Sequence, residues 1–82
     1  ELPLGKGFAD FVFLPKQEYA NTYPALLIEL KWDHTAKTAM GQIKERKYPS
    51  TLEAYSGQIL LVGINYERKS KEHQCIIEKY QK

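Results

Sequence analysis

Residues 25–32 read ALLIELKW, and this stretch decides the fold. Its first four residues are apolar without alternation, which is typical of a strand that is buried on both faces. Side chains alternate along a strand, so Glu29 and Lys31 share one face at the end of the run. We expect the strand to end at Lys31 or Trp32. A buried strand that ends with a carboxylate and an ammonium group on one face raises the question of what these charges do.

The composition is that of one small globular domain. The chain has 82 residues, of which 43% are hydrophobic and 27% are charged, and its net charge is +2. This charge neither requires nor excludes an anionic partner. No stretch approaches the roughly 20 apolar residues of a membrane helix. The only cysteine, Cys75, cannot form a disulfide within the chain, so a reducing, cytoplasmic compartment is expected.

Five main elements in the order β-β-α-β-β follow from the residue patterns. A polar loop between Pro15 and Pro24 separates the first two strands, which form an antiparallel hairpin. A helix that joins two strands with apolar faces predicts a right-handed crossover and a parallel pair. The sequence therefore predicts an α/β fold with a mixed β-sheet. The predicted strands are 8–14, 25 to 31 or 32, 58–66 and 73–80, and the predicted helices are 36–48 and a short one at 50–55.

The predicted main helix has one apolar face. Asp33 or Thr35 can cap its start, and Ala36, Met40 and Ile43 recur at helical spacing on the side that faces the sheet. The opposite face of the two central strands is also too apolar for water. We therefore expect an additional helix on that face, supplied by an N-terminal part of a longer protein or by a partner subunit.

The register of the hairpin places two carboxylates together. Closing the hairpin symmetrically about the loop 15–24 pairs Asp10 with Glu29 and Val12 with Leu27. Directly paired Cβ atoms lie about 5 Å apart, so the two carboxylates repel each other, and more strongly where they are partly buried. A slip of one residue would move Asp10 to the other face.

A cation between these carboxylates would offset the repulsion. Lys31 supplies part of the charge, and a divalent cation supplies more; hard oxygen ligands favour Mg²⁺, Mn²⁺ or Ca²⁺ over zinc. Two other interpretations stay open. A Glu and a Lys two positions apart on a strand are more often a surface ion pair than a catalytic site, and Asp10, Glu29 and Lys31 together are also compatible with a structural ion network.

Four blocks of the sequence resemble one known family. The residues G-F-A-D at 7–10, followed by I-E-L-K at 28–31, resemble the PD-(D/E)XK nuclease superfamily. The segment A-M-G-Q-I-K-E-R-K-Y at 39–48 resembles the helix of one bacterial branch with a Q-I-x-x-x-x-Y pattern, and I-L-L-V-G-I-N-Y at 59–66 resembles its next strand. The resemblance covers nearly the whole chain.

The resemblance implies a restriction-endonuclease-like core, in which helices flank the mixed β-sheet. The family core begins with a helix and a strand before the strand that carries the aspartate, so the core is expected to be partial here. Residues 1–82 are accordingly expected to form a single nuclease-like domain, a piece of a longer protein in which an AAA-ATPase-like domain precedes it. A domain shortened in this way is expected to dimerise through its exposed edge.

The resemblance also assigns roles to individual residues. The carboxylates of Asp10 and Glu29 and the backbone carbonyl of Leu30 would bind Mg²⁺ or Mn²⁺. Lys31 would orient or activate the attacking water and offset charge on the phosphate. The helix residue Gln42 and the residue Tyr48 match positions that line the active-site side in related nucleases. These five side chains, those of Asp10, Glu29, Lys31, Gln42 and Tyr48, are the predicted catalytic residues.

The implied function is divalent-metal-dependent hydrolysis of phosphodiester bonds in nucleic acid, with DNA as the expected substrate. The alternative is a non-catalytic module of a larger ATPase-containing protein that binds nucleic acid or protein. Among the remaining residues, Trp32 either caps the core or lines a groove, His34 is expected in the loop before the helix, and Cys75 is expected to be a small buried apolar residue. The basic helix residues form either a contact surface for a nucleic-acid backbone or a solvated face; they are Lys37, Lys44, Arg46 and Lys47.

Overall fold

The computed structural model describes residues 10–45, 52 and 54–80. Its strands are β1 (Phe11–Phe13), β2 (Ala25–Trp32), β3 (Ile59–Tyr66) and β4 (His73–Lys79), and the helix α1 (Ala36–Glu45) lies between β2 and β3. The strands form one four-stranded sheet in the order β1-β2-β3-β4. The pair β2–β3 is parallel, and the pairs β1–β2 and β3–β4 are antiparallel. The predicted α/β fold with a mixed sheet and a helical connection is therefore confirmed.

The observed bounds lie close to the predicted ones. Strand β2 ends at Trp32, the later of its two predicted ends, and α1 begins at Ala36 as predicted. Strands β3 and β4 are each one residue shorter than predicted. The predicted first strand and the two predicted helices extend into 8–9, 46–51 and 53, which lie outside the described residues.

Strand β1 is shorter than predicted, and each end has a physical reason. Asp10 forms a bend, and its carboxylate Oδ2 accepts the N–H of Leu30 at 2.8 Å, where a longer strand would continue the backbone ladder. At the other end, pairing stops at Phe13. Pro15 has no N–H to donate to the ladder, so backbone pairing cannot continue through it, and Leu14 is the last residue before this interruption.

The core lies between the sheet and α1. Strand β2 buries every second side chain on this side as far as Glu29, and α1 buries Ala39 beside the three residues predicted from its spacing. Gly63 of β3 lies beneath the helix, because a Cβ atom added there would be 2.8 Å from the backbone N of Met40 and 2.9 Å from the carbonyl O of Ala36. The helix thus packs directly on the backbone of β3.

The face of the sheet opposite α1 is apolar and partly exposed. Phe11, Phe13 and Ile77 are exposed on it, and Leu26 and Ile28 are half-buried between them. The additional helix expected for this face is not among the described residues. No helix in residues 10–45, 52 and 54–80 is long and apolar enough to cross a membrane.

Cys75 corrects one of the sequence-based expectations. The expected buried position is wrong, because the thiol is exposed. Cys75 pairs with Ile64 in the β3–β4 ladder, on the side of the sheet that does not face α1. Its exposure follows from its face of the sheet, because the neighbouring Ile76, on the α1 side of the same strand, is half-buried against the core.

Candidate active site

The candidate site begins where β2 leaves the core. Glu29 is only 2% exposed, although it is charged, whereas Lys31 is half-buried and Trp32 is exposed. Glu29 and Lys31 both lie on the α1 side of the sheet, because they alternate with Leu30 along the strand. The carboxyl end of parallel strands is where ligands commonly bind in α/β sheets. The two charges therefore stand at the expected end of the sheet.

The observed hairpin register is the predicted one. Phe11 pairs with Ile28 and Val12 with Leu27, so the two residue numbers of each pair add up to 39. The predicted pairs, Asp10 with Glu29 and Val12 with Leu27, have the same sum. Extending this register by one residue places Asp10 opposite Glu29. The position of Asp10 is fixed independently by its 2.8 Å hydrogen bond from the N–H of Leu30.

The oxygen atoms near this corner are hard ligands. In a strand the N–H and C=O of one residue point to the same side, so the carbonyl of Leu30 is directed towards the β1 side, where Asp10 lies. The two carboxylates and the backbone carbonyl predicted as ligands are hard oxygen donors of the kind that could hold Mg²⁺ or Mn²⁺, which take few protein ligands and keep several waters. Within the described residues no three side chains of His, Cys, Asp or Glu gather into a metal-binding group.

The burial of Glu29 follows from the neighbouring strand. Glu29 pairs with Gly63, the residue on which the backbone of α1 rests. Because Gly63 has no side chain, the helix comes close to the sheet beside Glu29 and keeps water from it. The burial of the Glu29 carboxylate and the close packing of α1 thus depend on the same residue pair, Glu29 and Gly63.

Asn65 is a buried polar residue that the sequence analysis missed. It is 2% exposed and pairs with Lys31 in the β2–β3 ladder. Its Oδ1 accepts the N–H of His34 at 2.9 Å, and this bond ties the connection after β2 to β3. The sequence signal is a polar residue at an inward position of a strand whose other inward residues are Ile59, Leu61 and Gly63. His34 lies in the loop before α1, as expected.

The start of α1 is capped by Thr35, one of the two predicted caps. Its Oγ1 accepts the N–H of Thr38 at 3.0 Å. Asp33 has a different role, because its two carboxylate oxygens accept the backbone N–H and the Nε–H of Arg68 at 2.9 and 2.8 Å. The backbone hydrogen bond from Arg68, followed by that from its side chain, lowers the pKa of Asp33 below its ordinary value of 3.8.

The helix residues of the predicted site are placed only in part. Gln42 is half-buried on α1, next to the buried Ile43, and Tyr48 lies outside the described residues. Lys44 forms a 2.7 Å ion pair with Glu78 of β4, so its ammonium group is engaged within the protein. Lys37 is exposed. The other two basic residues of the predicted helix surface, Arg46 and Lys47, lie beyond the described part of α1.

The fold of the described residues, a mixed four-stranded sheet with the helix α1, is consistent with a nuclease-like α/β domain. A family model of the PD-(D/E)XK nuclease superfamily matches residues 1–77. The chain therefore belongs to the PD-(D/E)XK nuclease superfamily, whose nucleases generally use divalent metals. A search of curated proteins found no match, and a search of solved structures found none either.

Proposed function

We propose that the protein hydrolyses phosphodiester bonds of nucleic acid, with DNA as the substrate and Mg²⁺ or Mn²⁺ as the cofactor. The observation that carries this proposal is the corner in which the Asp10 carboxylate bonds to the N–H of Leu30, next to the buried Glu29. Membership of the nuclease superfamily supports the reaction class. The oxygen chemistry of the corner supports a hard divalent cation.

In this proposal Asp10, Glu29 and the carbonyl of Leu30 hold the metal ion. A bound divalent ion polarises a phosphoryl oxygen and lowers the pKa of bound water. The hydrogen bond from Leu30 restrains one oxygen of Asp10 and leaves the other for the ion. The burial of Glu29 keeps its carboxylate in one position, because α1 packs beside it on Gly63.

Lys31 is proposed to act on the phosphate. It is half-buried on the same face as Glu29, two residues nearer the end of the strand. Its ammonium group orients the attacking water and offsets the charge that develops on the phosphate. Gln42 of α1 and Tyr48 are proposed to line the same side and to contact substrate, on the basis of the family pattern that they match.

The wider setting is also a proposal. We propose that the chain is a single nuclease-like domain of a longer cytoplasmic protein, which carries an AAA-ATPase-like domain as well. Dimerisation is proposed through the exposed edge of the sheet, where Phe11 and Phe13 of β1 and Ile77 of β4 are open to solvent. Burial of apolar surface of this kind favours association with another protein surface.

The same apolar surface favours a second candidate function. A non-catalytic module that binds a protein or nucleic acid for a larger ATPase would use an exposed sheet face and would not need the metal corner. In a purely structural version, Asp10, Glu29 and Lys31 would only stabilise the fold. Cleavage separates these functions from the first one.

The test is a cleavage assay with labelled single-stranded and duplex DNA, in Mg²⁺, in Mn²⁺ and in EDTA. We expect metal-dependent cleavage by the wild type and a loss of about 100-fold or more in Lys31→Met, since one electrostatic contact to the developing charge has about this effect. Lys16→Met, which removes an exposed lysine of the loop between β1 and β2, is the matched control and retains activity.

The proposal is wrong if Lys31→Met cleaves as fast as Lys16→Met. If the wild type binds DNA without cutting it in any metal, the non-catalytic module is the better account. If Lys31→Met changes only the melting temperature, and the wild type neither binds nor cuts DNA, the structural role is the better account.

A further inference from the structure

Three aromatic rings form a row across the end of the sheet. Trp32 of β2 pairs with Tyr66 of β3, and Tyr66 pairs with His73 of β4. The ring centroids of Trp32 and Tyr66 are 5.2 Å apart at an interplanar angle of 81°, and those of Tyr66 and His73 are 4.8 Å apart at 52°. The three rings therefore contact one another in sequence across three neighbouring strands.

The aromatic row, consisting of Trp32, Tyr66 and His73, lies on the face opposite α1. Trp32 is 52% exposed, and His73 is exposed at the edge of the sheet. Together with the residues next to it, the row lines an open pocket of about 260 Å³. The remaining lining residues are Leu30, Ile64 and Lys31.

The pocket has an apolar floor, and the turn beside it carries exposed basic residues. Leu30 and Ile64 pair with each other and form the floor beside the rings. Lys31 borders the pocket, although its side chain lies on the α1 side of the sheet. The turn 67–72, which joins Tyr66 to His73, contains three exposed basic residues and two acidic ones, and one of the basic residues is ion-paired with Asp33. The basic residues are Arg68, Lys69 and Lys71, and the acidic ones are Glu67 and Glu72.

This combination fits a nucleobase with its phosphate. A base presents a flat π-face, which stacks on aromatic side chains, and its phosphate is attracted by nearby Lys and Arg. Bases in a duplex are stacked on their neighbours and have no free face, so the pocket fits an unpaired base. An apolar peptide segment would fill the floor but would make no use of Lys69 and Lys71, the exposed lysines of the turn.

We propose that the aromatic row is a stacking site for an unpaired base of single-stranded nucleic acid. The inference rests on the proposed function in one respect, because it takes the stacked strand to be the substrate. Lys31 connects the two sites along β2. It directly precedes Trp32, borders the pocket and lies two residues after Glu29. The aromatic row and the side chains of Glu29 and Lys31 lie on opposite faces of the same end of the sheet, so a strand held on the row has to cross the end of β2 to reach the candidate active site. Single-stranded ends or frayed segments are therefore the preferred substrates.

The test uses Trp32 as its own reporter, because it is the only tryptophan of the chain. The protein is titrated with a single-stranded oligothymidylate and with a duplex of the same length, in EDTA so that no cleavage occurs. We expect the single strand to quench Trp32 fluorescence on binding and the duplex to bind more weakly with less quenching. Measurement at several salt concentrations separates the phosphate contribution, which weakens with salt, from stacking.

Variants locate the binding site. We expect Tyr66→Leu to weaken single-strand binding about 5- to 150-fold, the effect of losing one stacking contact. Tyr23→Leu is the matched control, because Tyr23 is a 57% exposed tyrosine just before the opposite end of β2, and its affinity stays unchanged. His73→Ala, at the exposed edge, provides a second variant of the row should Tyr66→Leu unfold, which circular dichroism detects.

Equal quenching of Trp32 fluorescence by duplex and single strand, or no quenching by either, overturns the inference. It is also overturned if both Tyr66→Leu and His73→Ala bind the single strand as tightly as the wild type does. Its failure is distinct from failure of the proposed function. Metal-dependent cleavage with no role for Tyr66 leaves the nuclease and removes the stacking site. Quenching that depends on Tyr66 in a protein that cuts no DNA leaves the stacking site and removes the nuclease.

Discussion

Substituting Gly63 by alanine tests the packing that surrounds Glu29. The added Cβ atom would lie 2.8 Å from the backbone N of Met40, 2.9 Å from the carbonyl O of Ala36 and 3.2 Å from the Cα of Met40. These are backbone atoms of α1, so no side chain can turn away to make room. The helix itself has to move off the sheet, and we expect Gly63→Ala to lower the free energy of unfolding.

The magnitude follows from two opposing effects. Overpacking a core position costs about 1–3 kcal/mol. Replacing glycine restricts the unfolded chain and returns about 0.4–1 kcal/mol. The difference spans about 0 to 2.6 kcal/mol, and because the close atoms are backbone we expect a net loss of about 1–2 kcal/mol. With an unfolding entropy of about 2.1 cal/mol/K for each of the 82 residues, or about 170 cal/mol/K, the melting temperature falls by about 6–12 °C.

Gly41→Ala is the matched control for this experiment. Gly41 lies in the same helix region that Gly63 supports, but a Cβ atom added at Gly41 meets nothing within 4 Å. Alanine is also the better helix former by about 1 kcal/mol. We expect Gly41→Ala to raise the melting temperature by several degrees, about 6 °C for a gain of about 1 kcal/mol.

Thermal unfolding followed by circular dichroism measures both variants under identical conditions. The reasoning predicts shifts of opposite sign for two identical chemical changes. A melting temperature of Gly63→Ala that equals or exceeds that of the wild type would refute the close contact between α1 and β3. The burial of Glu29 would then lack its explanation.

Two further predictions concern the connections beside the site. Asp33 has a lowered pKa in the folded protein, so its carboxylate stabilises the fold above pH 3.8 and loses this effect as the pH falls through the lower folded value. We therefore expect the melting temperature of Asp33→Asn to lie below that of the wild type near neutral pH, and the difference to disappear in acid. Asparagine tolerates the φ of 56° at this position, so the substitution adds no backbone strain. Asn65→Leu leaves the N–H of His34 without its acceptor, so chemical denaturation should show a loss of about 1–3 kcal/mol; an unchanged midpoint would contradict the role given to this bond.

The sequence was sufficient for the hairpin and the helix because their signals are local. Two prolines bound the loop between β1 and β2, and symmetrical pairing about that loop gave the observed register of Val12 with Leu27. The apolar spacing of Ala36, Met40 and Ile43 predicted the buried side of α1. Alternation along β2 then placed Glu29 and Lys31 on that side.

Other features depend on partners distant in the chain and have no local signal. Asn65 bonds to His34, 31 positions earlier, and the aromatic row exists only because the registers of β2, β3 and β4 align Trp32 and Tyr66 with His73. The burial of Cys75 was predicted from its residue type, but exposure depends on which face of the sheet another element covers.

Binding of Mn²⁺ tests the central claim most directly, namely that Asp10 and Glu29 form one cation site. Calorimetric titration of the wild type is predicted to show saturable binding, and Asp10→Asn and Glu29→Gln are predicted to lose it while remaining folded. Glu78→Gln is the control, because the Glu78 carboxylate lies on the same side of the sheet but is ion-paired with Lys44 of α1. We expect this variant to keep the wild-type affinity for Mn²⁺. Absence of saturable binding by the wild type, or unchanged binding by Asp10→Asn, would contradict the account.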